Sequence, residues 1–187
     1  MRVIAGTAKG RRLKTVKGMT TRPTADRVKE SLFNIIREKL EGNSLLDLYA
    51  GTGNIGIEAL SRGVTSAVFV ERDKQAVKVL RENLQVTSFQ QNVEVYQQDV
   101  MIALDIFGKK KRAFDLIFLD PPYYEGLEEK TLTRIFLNKV LAPEGLVIIE
   151  HSRKNNLPST VASLQLIRTE IYGDTAISFY RIREDEE

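Results

Sequence analysis

From residue 44 onward the chain alternates short apolar runs with longer amphipathic stretches. Five runs read as buried strands, at 45–49, 67–70, 93–96, 114–119 and 146–149. Between them, apolar residues recur at helical spacing over 55–62, 73–86, 101–107 and 128–140. Strand, helix, strand, helix at this spacing predicts βαβ units around a parallel sheet. The pattern changes at the end, where 164–172 and 175–182 read as two strands joined by Gly173-Asp174, a tight antiparallel turn. The expected fold is α/β, a seven-stranded, mainly parallel sheet closed by a C-terminal antiparallel hairpin.

The first 43 residues follow another rhythm. Gly6, Gly10 and Gly18 interrupt short apolar pieces at Val3-Ile4-Ala5 and around Leu13, which predicts a small β-hairpin or arm over residues 1–23. Thr24 reads as a helix N-cap, with Asp26 in the first turn where the dipole favours an acid. Val28, Leu32, Ile35, Ile36 and Leu40 form the buried stripe, and Gly42-Asn43 stop the helix. Residues 24–187 then make one main domain.

Charge sharpens the role of the arm. The chain carries a net +3, yet residues 1–40 hold eleven Lys/Arg against three acids, so the remainder is net acidic. A basic segment on an acidic body points to a polyanion, most simply nucleic acid. With no cysteine and one histidine, His151, thiolate metal sites and disulfides are excluded, and no metal site is expected. His151 itself reads as a surface or core-edge residue. No apolar run approaches the ~20 residues of a membrane span, and the N-terminus lacks a signal-peptide apolar region, so a cytoplasmic location is expected. Catalysis must rest on carboxylates, hydroxyls, backbone groups or a bound cofactor.

The strand at 114–119 ends in Asp120-Pro121-Pro122-Tyr123. Two prolines without N–H donors cannot extend a sheet, so the chain leaves it in a rigid turn. A carboxylate, a donor-free carbonyl and an aromatic ring are presented together at a strand's carboxyl end, where open α/β sheets bind ligands. Upstream, Ala50-Gly51-Thr52-Gly53 and Gly56 follow the first strand and suit close approach of a ligand to a helix N-terminus. Glu71, twenty residues after Gly51, is placed to accept from both ribose hydroxyls of an adenosine. The glycines also match a dinucleotide fingerprint. Asp47 beside them would repel a pyrophosphate and attract the ammonium of a methionine moiety. Asp99, after the third strand, can accept from an adenine amino group or cap the following helix.

Asp47-x-x-x-Gly51-x-Gly53, Glu71, Asp99 and Asp120-Pro-Pro-Tyr resemble, in order and spacing, the motifs of class I S-adenosylmethionine-dependent methyltransferases. The Asp-Pro-Pro-Tyr form is similar to the subset that methylates exocyclic amino groups of bases. Arg2-Val3-Ile4-Ala5-Gly6, Gly10-Arg11-Arg12-Leu13, Arg22-Pro23-Thr24-x-Asp26-Arg27-Val28-Lys29-Glu30, Gly56-Ile57-Glu58-Ala59-Leu60-Ser61-Arg62-Gly63 and Tyr172-Gly173-Asp174-Thr175 resemble the RsmD family of 16S ribosomal RNA guanine-N2 methyltransferases. The likeness runs over nearly the whole chain. It implies a Rossmann-like fold and S-adenosylmethionine as cofactor, held by Asp47, Ala50, Gly51, Thr52, Gly53, Gly56, Glu71, Arg72, Asp99 and Val100. It implies catalysis by Asp120, Pro121, Pro122 and Tyr123. It implies RNA contacts by Lys9, Arg11, Arg12, Arg22, Thr24 and Arg27, with 16S ribosomal RNA in a 30S subunit or assembly intermediate as partner and a monomeric enzyme. Asp-Pro-Pro-Tyr also serves enzymes acting on adenine or cytosine of DNA or another RNA. An NAD-dependent oxidoreductase and a non-catalytic RNA-binding module are the further alternatives.

Overall fold

The computed structural model describes residues 1–16, 23–122 and 126–183, with only the backbone described for 23–25. Five parallel strands form the centre: β1 (Ser44–Leu48), β2 (Ser66–Glu71), β3 (Val93–Gln97), β4 (Phe114–Leu119) and β5 (Leu141–Ser152). Three more, β6 (Thr160–Val161), β7 (Leu164–Tyr172) and β8 (Thr175–Ile182), add to the β5 side in antiparallel fashion. The order is β3-β2-β1-β4-β5-β8-β7-β6. The sequence predicts seven strands and the sheet has eight, because β6 is only two residues long and leaves no periodic signal. The sequence also hides the first half of β5. Phe114 pairs with Leu141 and Leu116 with Leu146, so Ala142-Pro143-Glu144-Gly145 is absorbed in a bulge where Pro and Gly are tolerated.

Helices cover both faces. On one, α1 (Pro23–Ile35), α2 (Asn54–Ser61) and α3 (Lys74–Thr87) bury Leu32, Phe33, Ile57 and Leu80 against Phe69, Phe118 and Ile148. On the other, α4 (Val100–Lys109) and α5 (Leu127–Leu137) bury Leu104, Phe107 and Leu132 against Val70, Ile117 and Ile149. The first helix starts at Pro23, a residue preorganised for a first turn, so Thr24 lies inside the helix and is not its cap. It also ends earlier than its apolar stripe suggests. A 3-10 turn at Arg37–Lys39 carries Leu40 into the core, where it is buried.

Residues 1–16 turn back on themselves around one antiparallel bridge, Arg2 to Arg12, while residues 17–22 of the expected 1–23 arm lie outside the described residues. The described segment packs on the domain, for Val3, Ala8 and Leu13 belong to the same core as α1 and α2. No helix among the described residues is long and apolar enough to cross a membrane.

Candidate active site

The strand order reverses between β1 and β4, and the crevice at such a switch point is where open α/β sheets take their ligands. Asp47 stands near the carboxyl end of β1 and is 2% exposed. Its Oδ2 accepts from the Gly56 N–H at 3.0 Å. A Cβ on Gly56 would lie 2.2 Å from the Phe69 ring, so only glycine allows α2 to approach the sheet and meet Asp47. Gly53 caps α2 with φ +85°. Burial pushes the pKa of Asp47 up to about 7; the Gly56 N–H opposes this and the Glu71 charge adds to it.

Glu71 ends β2 and reaches back to the loop. Its Oε2 accepts from Gly51 N–H at 2.9 Å and its Oε1 from Asp73 N–H at 2.8 Å. Each oxygen keeps a lone pair for a further donor. Asp99 caps α4, accepting from Met101 N–H at 2.8 Å, and is exposed, so the capping role is real and leaves its second oxygen open. Thr52 is buried in the loop and its carbonyl accepts from Asn83 Nδ2 at 2.9 Å. Ala50 is buried, Arg72 is exposed, and the Val100 side chain lies in the core, leaving its backbone at the start of α4 to face a ligand.

Asp120 and Pro121 follow β4 across the crevice, with Asp120 open to solvent and Pro121 buried. Leu48 pairs with Leu119 and with Val70, so Asp120 is level with the end of β2 where Glu71 sits. Although one side of Asp120 meets water, desolvation by the surrounding protein is the largest cause lifting its pKa well above the usual carboxylate range. Glu150 and then Asp47 add to it. Glu150 itself is raised by burial. Pro122 is exposed. Tyr123 and Arg22 lie outside the described residues, as does the side chain of Thr24.

Lys9, Arg11, Arg12 and Arg27 are exposed. Arg2 and Arg12 face each other as a pair flanked by, and not within, the ladder bonds Val3 N–H to Arg11 and Leu13 N–H to Met1. Side chains in such a pair are close, and like charges directly opposite are unfavourable until an anion joins them. Lys29, counted with these cations from the sequence, is not part of the surface: it is 2% exposed. Its Nζ donates to the Arg2 carbonyl and Asn54 Oδ1, both at 2.8 Å, and lies 3.1 Å from Glu58 Oε2. Glu58 is 0% exposed and accepts from Ile4 N–H, Ala5 N–H and Arg62 Nε. Burial pushes Glu58 up, but these donors outweigh it and hold its pKa below the ordinary value; at Lys29 burial wins and pulls the pKa down. The contacts are those of an ionised pair.

Asn83, fully buried on α3, binds both Thr52 of the cofactor loop and Lys14 of the arm. Sequence reasoning missed Asn83, the Lys29–Glu58 pair and Glu150. Lys29 falls on the stripe of Phe33, Ile36 and Leu40, and Glu150 directly follows an apolar strand as Glu71 does, so both left a signal. The His151 ring, buried between the Ser152 carbonyl at 3.0 Å and Ser178 Oγ at 2.9 Å, has its pKa lowered by burial and holds β5 to β8. Arg112, from the basic run before β4, is committed to Glu94 at 2.7 Å. Among the described residues no cluster of metal-ligating side chains occurs.

The family model described as "Conserved hypothetical protein 95" matches residues 1–181. The chain belongs to the RsmD methyltransferase family. A Bacillus subtilis (strain 168) relative named "Putative rRNA methyltransferase YlbH" is 44% identical over 98% of this chain and 100% of that protein. The "Ribosomal RNA small subunit methyltransferase D" of Escherichia coli (strain K12) is 34% identical over 97% of this chain and 89% of that protein. A solved structure titled "Putative methyltransferase yhhF from Escherichia coli" superposes with a TM-score of 0.86 at 31% identity, covering 99% of both chains. The chain is thus an rRNA methyltransferase of the RsmD family, and its methyl donor is S-adenosylmethionine. The site fits that donor. Asp47 and Glu71 are carboxylates of the kind that an ammonium and a ribose would need, and the absence of a Cβ at Gly56 lets the first turn of α2 close on Asp47.

Proposed function

We propose that the chain methylates the exocyclic N2 of one guanine in 16S ribosomal RNA, within a 30S subunit or assembly intermediate, acting as a monomer in the cytoplasm. The observation that carries this reading is Asp120 at the switch point, an acceptor with no donor among the described residues. An exocyclic amino nitrogen is a poor nucleophile because its lone pair is delocalised into the ring. Asp120 and the Pro121 carbonyl accept its two N–H bonds, draw the nitrogen toward tetrahedral geometry and free that lone pair. Their fixed positions stabilise the positive charge that grows on nitrogen. S-adenosylmethionine, when bound, supplies a methyl group already activated for transfer. As the N–CH3 bond forms, one N2 proton passes to Asp120 or to water. Tyr123 stacks on the extruded base, as aromatic rings do on unpaired bases.

Asp47, the 50–53 loop, Gly56, Glu71, Arg72, Asp99 and the Val100 backbone form the cofactor site in this reading. Lys9, Arg11, Arg12, Arg22, Thr24 and Arg27 hold RNA phosphates, and Arg2 joins them through its pairing with Arg12. Mass mapping of 16S ribosomal RNA from cells with and without the gene tests the assignment. One N2-methylguanine that disappears with the gene is the expected result. A methylated adenine or cytosine in its place, or an unchanged map, would overturn it.

A further inference from the structure

Among the described residues, Glu150 is a strand-end carboxylate beside Asp120 that the reaction above leaves unused. Leu119 pairs with Ile149 in the parallel β4–β5 register, so Asp120 and Glu150 stand side by side. Phe118 and Ile148 lie in the core beneath α1 and α2, and side chains alternate along a strand, so both acids point to that same face. On its other side Glu150 pairs with Ile177 of β8, an apolar neighbour. Neither acid receives a hydrogen bond or a cation among the described residues. Side by side, each carboxylate makes the other harder to ionise, and N–H donors arriving with a substrate would offset that repulsion.

Guanine carries three neighbouring N–H bonds, two on N2 and one on ring N1, with the N1–H and one N2–H on its Watson–Crick edge. Asp120 and the Pro121 carbonyl account for the first two. We propose that Glu150 accepts the N1–H of the target guanine and thereby selects guanine over adenine and cytosine. Those bases place a ring-nitrogen lone pair beside their amino group, and that lone pair would face the Glu150 carboxylate. A site that hydrogen-bonds a substrate N–H rejects the analogue lacking it strongly, because its own polar group is left unpaired. The inference rests on the guanine reading above.

The probe is ribosomal RNA carrying 2-aminopurine in place of the methylated guanine, which keeps the amino group, replaces N1–H with a lone pair and lacks the O6 carbonyl, so the variant comparison isolates the N1 contact. Initial rates are measured for the full chain and for Glu150→Gln on both RNAs, with product nucleosides identified by mass, and with cofactor affinity and thermal unfolding as controls. The wild type should prefer guanine by about tenfold or more, the scale of one good base-edge contact. Glu150→Gln, whose amide can donate to the lone pair, should lose about tenfold on guanine and bring the two RNAs within about threefold, with cofactor affinity unchanged. Equal wild-type rates on the two RNAs would overturn the proposal, and that comparison needs no variant. So would a Glu150→Gln enzyme that keeps the wild-type preference, since a residue that merely positions Asp120 would slow both RNAs alike. If the wild type forms no N2-methylguanine, the guanine reading fails first and takes this one with it.

Discussion

Two groups of acids lie on the same side of this sheet and are treated in opposite ways. Glu58 is enclosed by four donors, from the arm, α1 and α2, and its pKa falls. Asp120 and Glu150 have no donor among the described residues, and their pKa values rise. The residue types are the same, so the residue type alone does not mark function. A buried carboxylate with every lone pair answered fastens the fold. In the proposed reading, carboxylates left unanswered at a strand's carboxyl end take their donors from a ligand.

The largest effect should come from Glu58. Its replacement by alanine strands Lys29 as a buried cation and should cost roughly 3–5 kcal/mol, read from chemical denaturation. A loss under about 1 kcal/mol would show that the two groups are alike after all. Next, Asp120→Ala should lower the methyl-transfer rate by about 10²–10³-fold, with cofactor affinity by calorimetry held within twofold. Full activity in that variant would remove Asp120 from the mechanism.

Asp47 is intermediate between the groups, with one donor and a pKa of about 7. An ammonium ligand prefers the ionised form, so cofactor affinity should weaken as pH falls through 7, by about fivefold from pH 7 to pH 6 for one linked proton. Folding stability should move the other way. The folded-state pKa lies above the unfolded value, so the penalty for ionising Asp47 is relieved as pH falls from about 7 towards roughly 4. A flat affinity profile would mean that Asp47 holds Gly56 and nothing more. The smallest effect should be on salt dependence: alanine at Arg11 and Arg12 should flatten the log-affinity slope for RNA by about 1.4, the value for two phosphates of a single strand. An unchanged slope would remove the arm from the interface.

The sheet was readable because its central strands are apolar and its helices amphipathic. What escaped was short or masked, as with β6 at two residues and the part of β5 that runs through Pro143 and Gly145. Glu71 and Asp120 were readable because an acid directly after an apolar run stands at the carboxyl edge of a parallel sheet, and Asp47 because it interrupts such a run just before the glycines. Glu150 obeys that rule too, but no named motif drew attention to it. Asn83 gave no such sign, since its partners Lys14 and Thr52 are distant in sequence and only packing joins them. Lys29 misled, because a lysine in a basic segment reads as surface until the helix phase is followed.

Helix α2 begins at the cofactor loop and ends at Ser61, which binds Ala5, Thr7 and Ala8 of the arm. Gly6 passes so close that a Cβ there would lie 1.7 Å from the Ser61 carbonyl oxygen. An eight-residue helix is about 12 Å long and does not stretch. Arm and cofactor loop are therefore the two jaws of a fixed gauge. In the reading proposed above, an RNA strand held by the arm could offer the crevice only a nucleotide at the matching offset, so part of target choice would be a length cut into the protein.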